Sequence, residues 1–593
     1  MMTTSQTTRL PKFKTNYTPD QMVRYQVRCS QAHQRYIQFS ATFEQPIDEQ
    51  VLQLELPSWR PGRYEIGNFA KNIKGFKAYG VDNLPLVVEK STKDTWRIAS
   101  QGQAQITISY SYYAAELNAG STFLDPEQLY INPVNCFFYN AHQPQQPYDL
   151  KLHIPKEWQI ASALQFNEDQ RVIVPNFDTL ADSPFICSAR IERQSYEVAG
   201  TTFHICFNGQ VLIPWERVIH DFSKFTERQI QDFGEFPSRT YTFLIQSLPH
   251  AAYHGVEHLE STVIALGPSC DLFSTLYTEL LGVSAHELYH VWNIKALRPV
   301  EMSPYDFKRE NYALTGFIYE GITTYMGDLY LLKSGVFTLD QYLKELSKQV
   351  QKHLDNPGRF SMSVASASFD TWLDGYVPGA PGRKVSIYTE GCLLAFYIDY
   401  RLRKATSHKF GLEQVIKQMY INCTNKGAGY TLLDYQTSVE NLSGESFSDF
   451  FRDYVCGTSA YEALLQEAFE FFGLELKQTA GKSITETRIG MKVIANGKEW
   501  QIQSIYPGSP ADTAGLAIGD LILGINGVRA LPSLDNWIAF HENQNKTLLI
   551  ERNGVFLERF IPEVDRHFYV THQVIKATET TSNQEKALEN WSN

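Results

Sequence analysis

Between residues 20 and 195 the apolar side chains recur at every second position in short runs. This feature limits what the segment can fold into more than any other. VLQLELPSW (51–59), ITISYSYY (106–113) and YDLKLHIP (148–155) all alternate in this way. Successive side chains of a strand point to opposite faces, so such runs read as strands with one buried face. Pro, Gly and Asn between the runs supply turns. The expectation is an all-β domain, a sandwich or saddle-like sheet, over residues 1–195.

After about residue 215 the period lengthens to that of a helix. Leu272, Leu276, Leu280 and Val283 lie in phase and run into the stretch SAHELYHVWNIKALRP (284–299). A second helix is expected from Asn311 to Ser334, ending at Gly335. A third opens at Thr338, where Thr-Leu-Asp-Gln spells a capping box, and stops at Asn356-Pro357-Gly358. A Gly/Pro/Ser-rich loop (356–384) precedes a helix beginning near Ser386, and helices continue to about 474. Near 486 the pattern returns to short strands, with turn glycines in GSPADTAGLAIGDLILGING (508–527). From 571 the chain is polar and expected to fray. The segments are therefore 1–195, 196–480, 481–570 and 571–593. With 593 residues, several cores are required. The fold class is multidomain α+β: an N-terminal all-β domain, a central domain with a helical continuation, and a C-terminal β module.

Composition excludes some functions. The chain is 43% hydrophobic and 20% charged, as soluble globular proteins are. A net charge of −12 without a basic cluster argues against nucleic acid and anionic membrane as partners. No stretch approaches eighteen apolar residues, and MMTTSQTTRLPKFKTNY at the start has no apolar core. Membrane spanning and a secretory leader are both disfavoured. The eight cysteines lack CxxC spacing and read as reduced thiols, which fits a cytoplasmic location.

The chemistry centres on HELYH. On a helix, His286 and His290 lie one turn apart on one face, where both can ligate one zinc ion. Glu287 is rotated off that face and can instead take a proton from a water. Ser284-Ala-His-Glu287 also spells a capping box, the bland alternative, although the apolar stripe upstream places the helix start earlier. Glu320 sits among Phe317, Ile318, Tyr319 and Ile322, and a carboxylate in such a setting needs a partner. A metal ion supplies one. Gly316, Gly321 and Gly327 in the same stretch each cost roughly 1 kcal/mol in a helix, which points to close helix packing.

These residues resemble the glycyl aminopeptidase family of zinc peptidases, family M61, related to thermolysin-like and leucyl-type aminopeptidases. His286, Glu287, His290, Trp292, Asn293, Lys295, Pro299, Glu320, Gly321, Thr323 and Tyr325 match its pattern. PSWRPGRYEIGNFAKNI (57–73), GVEHLES (255–261) and VSIYTEG (385–391) extend the match. SIYPGSPADTAGLAIGDLILGINGVRA (504–530) resembles a PDZ domain, with Arg488-Ile-Gly-Met491 in the place of its carboxylate-holding loop.

The resemblance implies a thermolysin-like catalytic domain holding one zinc per chain on His286, His290 and Glu320. It makes Glu287 the general base, Tyr388 the oxyanion donor and Glu257 the anchor of the substrate's free α-amine. Glu390 departs from the lysine more often found there. Thr324 and Asp328 are candidate acceptors behind the histidines. The implied activity is removal of an N-terminal residue, Gly or Ala, from peptides with a free N-terminus. The PDZ-like module would bind a peptide or protein ligand, or pack on the catalytic domain. An endopeptidase, or a PDZ-bearing scaffold with a vestigial site, are the alternatives.

Overall fold

The computed structural model describes residues 22–593 except 378, 482, 498 and 543. The N-terminal stretch read against a leader lies outside the described residues.

The β domain forms as its alternation predicts. Tyr36–Glu44 buries Ile37, Phe39, Ala41 and Phe43 and turns the intervening residues outward. It pairs antiparallel with Gln105–Tyr113, placing Phe39 opposite Tyr110, with the rings stacked at 5.0 Å. These strands lie inside a six-stranded sheet that also holds Val23–Arg28, Ile73–Tyr79, Tyr148–His153 and Arg171–Val174. A short helix, α1 (Phe177–Ala181), ends at Asp182. The 57–73 segment follows Val51–Glu55, a strand of a separate three-stranded sheet, and packs against the next domain. The Ser58 and Trp59 N–H groups donate to the Phe307 carbonyl, and Trp59 packs on Trp372 at 5.3 Å. The core of the β domain is thus continuous with Ile294, Tyr319 and Ile387.

The central domain opens with strands β1 (Glu192–Val198) and β2 (Thr201–Asn208), then helix α2 (Trp215–Phe233). Strands β3 (Thr240–Ser247), β4 (Ala252–Glu257) and β5 (Ser261–Gly267) complete a sheet of order β1-β2-β3-β5-β4. β5 is buried along its whole length, as a central strand must be. β4 runs antiparallel at the edge and carries Glu257 at its end.

Beyond the sheet come α3 (Tyr277–Tyr289), α4 (Thr323–Lys333), α5 (Leu339–Asp355), α6 (Val364–Asp374) and α7 (Ile387–Ala405). The cap read from sequence holds, Thr338 and Gln341 forming the box of α5, and α7 begins beside Ser386 as expected, with that residue as its cap. Two expectations shift. The helix expected from Asn311 begins at Phe317, and its first turns, Phe317–Ile322, are π-helical. The 356–384 loop contains α6, capped by Ser363.

The glycines do what close packing requires. A Cβ on Gly321 would stand 2.3 Å from the Gly391 Cα, and one on Gly327 would stand 3.1 Å from the His286 backbone.

The PDZ-like module has its own core around Met491, Ile502, Ile522 and Ile550. Its sheet runs Met491–Asn496, Glu499–Ile505, Leu521–Ile525, Lys546–Arg552 and Val555–Ile561. Among the described residues no helix is long and apolar enough to cross a membrane.

The segment 571–593 is not a frayed tail. Thr571–Lys576 pairs with Leu474–Thr479, and α8 (Ser582–Ser592) folds back on the helices of the central domain. Its polar composition hides one apolar face, Ala587, Leu588 and Trp591, behind a Thr581 cap. Trp591 is fully buried, stacks 4.6 Å from Phe472 and donates Nε1–H to the Tyr325 hydroxyl at 2.8 Å. Trp591→Ala should cost about 3–5 kcal/mol in denaturant unfolding. A change below about 1 kcal/mol would return the segment to a tail.

Candidate metal and peptide site

α3 runs unbroken through Ser284, so the capping-box alternative fails: Ser284 is mid-helix and buried. His286 and Glu287 lie in its last turn, and His290 is its C-cap residue. The two imidazoles face each other, with Nε2 atoms 3.0 Å apart. Glu320, from the π-helical turn, brings Oε2 to 3.6 Å from His286 Nε2 and 3.5 Å from His290 Nε2. A π-turn adds a residue to the helix, and such turns occur frequently at functional sites.

His290 Nδ1 lies 2.9 Å from the Asn293 carbonyl, which makes Nδ1 a donor and leaves Nε2 facing the site. Ile294 turns the chain there at φ 102°, a left-handed value rare for a β-branched residue. The Asn293 amide donates to the Ile318 carbonyl and the Thr323 hydroxyl, tying this turn to the Glu320 helix. Neither candidate outer acceptor is this group. The Thr324 hydroxyl donates to the Glu320 carbonyl, and Asp328 is a half-buried carboxyl whose desolvation pushes it up to about 7.

Charge in the site is unbalanced. Burial opposes protonation of His290, but Glu320 outweighs it and raises the imidazole to about 10. Burial likewise opposes ionisation of Glu320, yet His290 and His286 hold it down to about 2. Two imidazole nitrogens and a carboxylate oxygen, all within 4.8 Å of one another, fit a divalent cation. Glu287 is buried, which raises its carboxyl well above the usual range, and its Oε2 has no hydrogen-bond partner among the described residues. Gly255 on β4 allows the strand to pass close by: a Cβ there would stand 2.1 Å from Glu287 Oε1.

Glu257 is buried on the edge strand and is not the solvated turn carboxylate that its neighbours His254 and His258 would suggest. Its ligand atom lies within 4.8 Å of those of Glu287 and His290. Tyr388 is half-buried, with its ring 6.4 Å from that of His286. Burial and Glu320 raise its phenol well above 10, so it stays a donor. Glu390 is engaged elsewhere, ion-paired with buried His353 at 2.8 Å. All six residues singled out in the sequence line or enter one cavity of about 780 Å³.

The chain matches the model of the M61 glycyl aminopeptidase domain over residues 279–394 and that of the peptidase M61 N-terminal domain over 24–189. Two models of the M61 family thus match separate stretches of the chain. A PDZ domain model also matches, over 501–552. A solved aminopeptidase N family protein from Idiomarina loihiensis is 26% identical, with a TM-score of 0.89, covering 96% of this chain and 100% of that one. An M1 zinc metallopeptidase from Deinococcus radiodurans is 13% identical with a TM-score of 0.45, covering 76% and 97%. No curated protein matched.

Besides the Asn293 carbonyl, sequence reasoning missed a second contact of this site. The Tyr64 hydroxyl, from the β domain, donates to Glu320 Oε1. Tyr64 lies in the 57–73 segment that carried the family resemblance, but nothing in its spacing ties it to a ligand 256 residues away.

Proposed function

We propose that this chain is a zinc aminopeptidase. The carrying observation is the convergence of His286 and His290 Nε2 with Glu320 Oε2, beside the unpartnered carboxylate of Glu287 and below the edge strand that ends in Glu257. His286, His290 and Glu320 would hold one zinc ion, which when bound supplies a Lewis acid and an acidified water.

The chain's own residues do the rest. An extended peptide pairs with the free edge of β4, and Glu257 receives its α-ammonium group. Glu287, kept poorly acidic by burial, takes the proton of the attacking water and passes it to the leaving nitrogen. The Tyr388 hydroxyl donates to the carbonyl oxygen as it becomes an oxyanion. The preference for Gly or Ala comes from the family. In the PDZ domain, the edge strand Met491–Asn496 follows Gly490, at φ 76°, as a strand that accepts a peptide C-terminus would.

Protein purified without added metal should carry about one zinc per chain, and His290→Ala should carry far less. Full metal retention in His290→Ala would overturn the ligand set. Tyr388→Phe should lower kcat about 10²–10³-fold with KM hardly changed, in steady-state assays on glycyl and alanyl chromogenic substrates. A raised KM at constant kcat would make Tyr388 a binding residue.

A further inference from the structure

Three donors of the catalytic domain converge on one carboxylate of the β domain, that of Asp182. Lys295 Nζ donates to Oδ1 at 2.7 Å, His258 Nδ1 to Oδ1 at 3.0 Å, and the Leu259 N–H to Oδ2 at 2.9 Å. His258 and Leu259 are the two residues that follow Glu257 in the chain. Lys295 lies five residues beyond His290, and its backbone N–H donates to the His290 carbonyl at 3.0 Å. One side chain therefore ties the end of the Glu257 strand to the turn that closes the histidine helix.

The two donor side chains are shielded from water, and the Asp182 side chain is 21% exposed. The Lys295 side chain is 1% exposed and that of His258 is 5% exposed. Burial disfavours the Asp182 carboxylate, but the Lys295 ammonium and the His258 ring hold its pKa well below the usual carboxylate range.

The Glu257 backbone pairs with Thr262 in the sheet, but its carboxylate has little to fix it. Its Oε1 is buried without a hydrogen-bond partner among the described residues. On its other side stands Gly62 of the β domain, at φ 78°, where a Cβ would come within 2.4 Å of Glu257 Oε2. The hairpin turn after Glu257 is closed by the His258 N–H on the Ser261 carbonyl, which shapes the turn but does not orient it against the β domain. The contacts to Asp182 supply that orientation.

We infer that Asp182 is a positioning residue: it anchors the 257–259 turn so that the Glu257 carboxylate stands where the α-ammonium of a peptide substrate arrives. The inference rests on the amine-anchoring role of Glu257 proposed above. It makes the β domain part of the specificity for a free N-terminus.

Asp182→Asn keeps the shape and weakens all three contacts. KM for a free-amine peptide should rise about tenfold, with kcat within about twofold of wild type, as expected when a charge-assisted contact that only places a binding group is lost. Metal content should not change, and the preference over the acetylated twin should fall by the same factor. In a double-mutant cycle with Glu257→Ala, Asp182→Asn should add almost nothing. If Asp182→Asn does not fold, the pair Asp182→Asn/Lys295→Met removes the stranded ammonium and should show the same KM effect. Additive losses in the cycle, or a fall in kcat and metal content at constant KM, would overturn the positioning role. Wild-type behaviour of Glu257→Ala would instead sink the amine-anchor reading beneath it.

Discussion

Glu287→Gln should retain its metal and lose at least about 10⁴-fold in kcat, at or beyond the upper end of the roughly 10²–10⁴ that one acid–base group contributes. The substitution keeps volume and hydrogen-bonding capacity and removes only the ability to accept a proton. The expected loss is large because in the proposed mechanism the same carboxylate serves twice, first against the attacking water and then toward the leaving nitrogen. Two features of the fold prepare it. Burial raises its carboxyl well above the usual range, and its Oε2 is unclaimed among the described residues. Rate assays with metal content measured on the same samples check this. Turnover within about tenfold of wild type would remove Glu287 from the chemistry.

The site was legible in proportion to how much of it is written in side-chain spacing. His286 and His290 are four apart on a helix, and that alone puts them on one face. Glu320 stood out because a carboxylate inside FIYEGI needs a partner. Glu257 and Tyr388 came from resemblance, since a glutamate on a short strand and a tyrosine at a helix start carry no period that marks them.

The remaining contacts were hidden for physical reasons. Asn293 acts on His290 through its backbone carbonyl, which every residue possesses. Tyr64 and Asp182 reach the catalytic domain across tertiary contacts spanning 256 and 113 residues. The fold class followed from alternation giving way to helical period and back again. The error at the C-terminus arose because three apolar residues in a polar helix, Ala587, Leu588 and Trp591, form too narrow a stripe to read without the groove that receives it. The helix start at Phe317 was misplaced for a related reason: the 311–316 stretch is apolar enough to join the pattern, but the chain there runs as loop before the π-turn begins.

The second large effect concerns where the peptide is cut. Glu257→Ala should lose about 10²–10³-fold in kcat/KM on a peptide with a free amine, because the incoming ammonium would find no charged partner in a buried site. It should gain nothing on a peptide with a blocked amine, since the ligands, Glu287 and Tyr388 are untouched. The β4 edge would still accept an extended chain, so the variant should bind without the register that the amine contact sets.

The most direct measurement uses the wild-type enzyme and two peptides that differ only by an N-terminal acetyl group, with products identified by mass spectrometry. An aminopeptidase anchored through Glu257 releases the first residue of the free peptide and leaves the acetylated one intact. Cleavage of the acetylated peptide at an internal bond, with a comparable kcat/KM, would contradict the account and make the enzyme an endopeptidase.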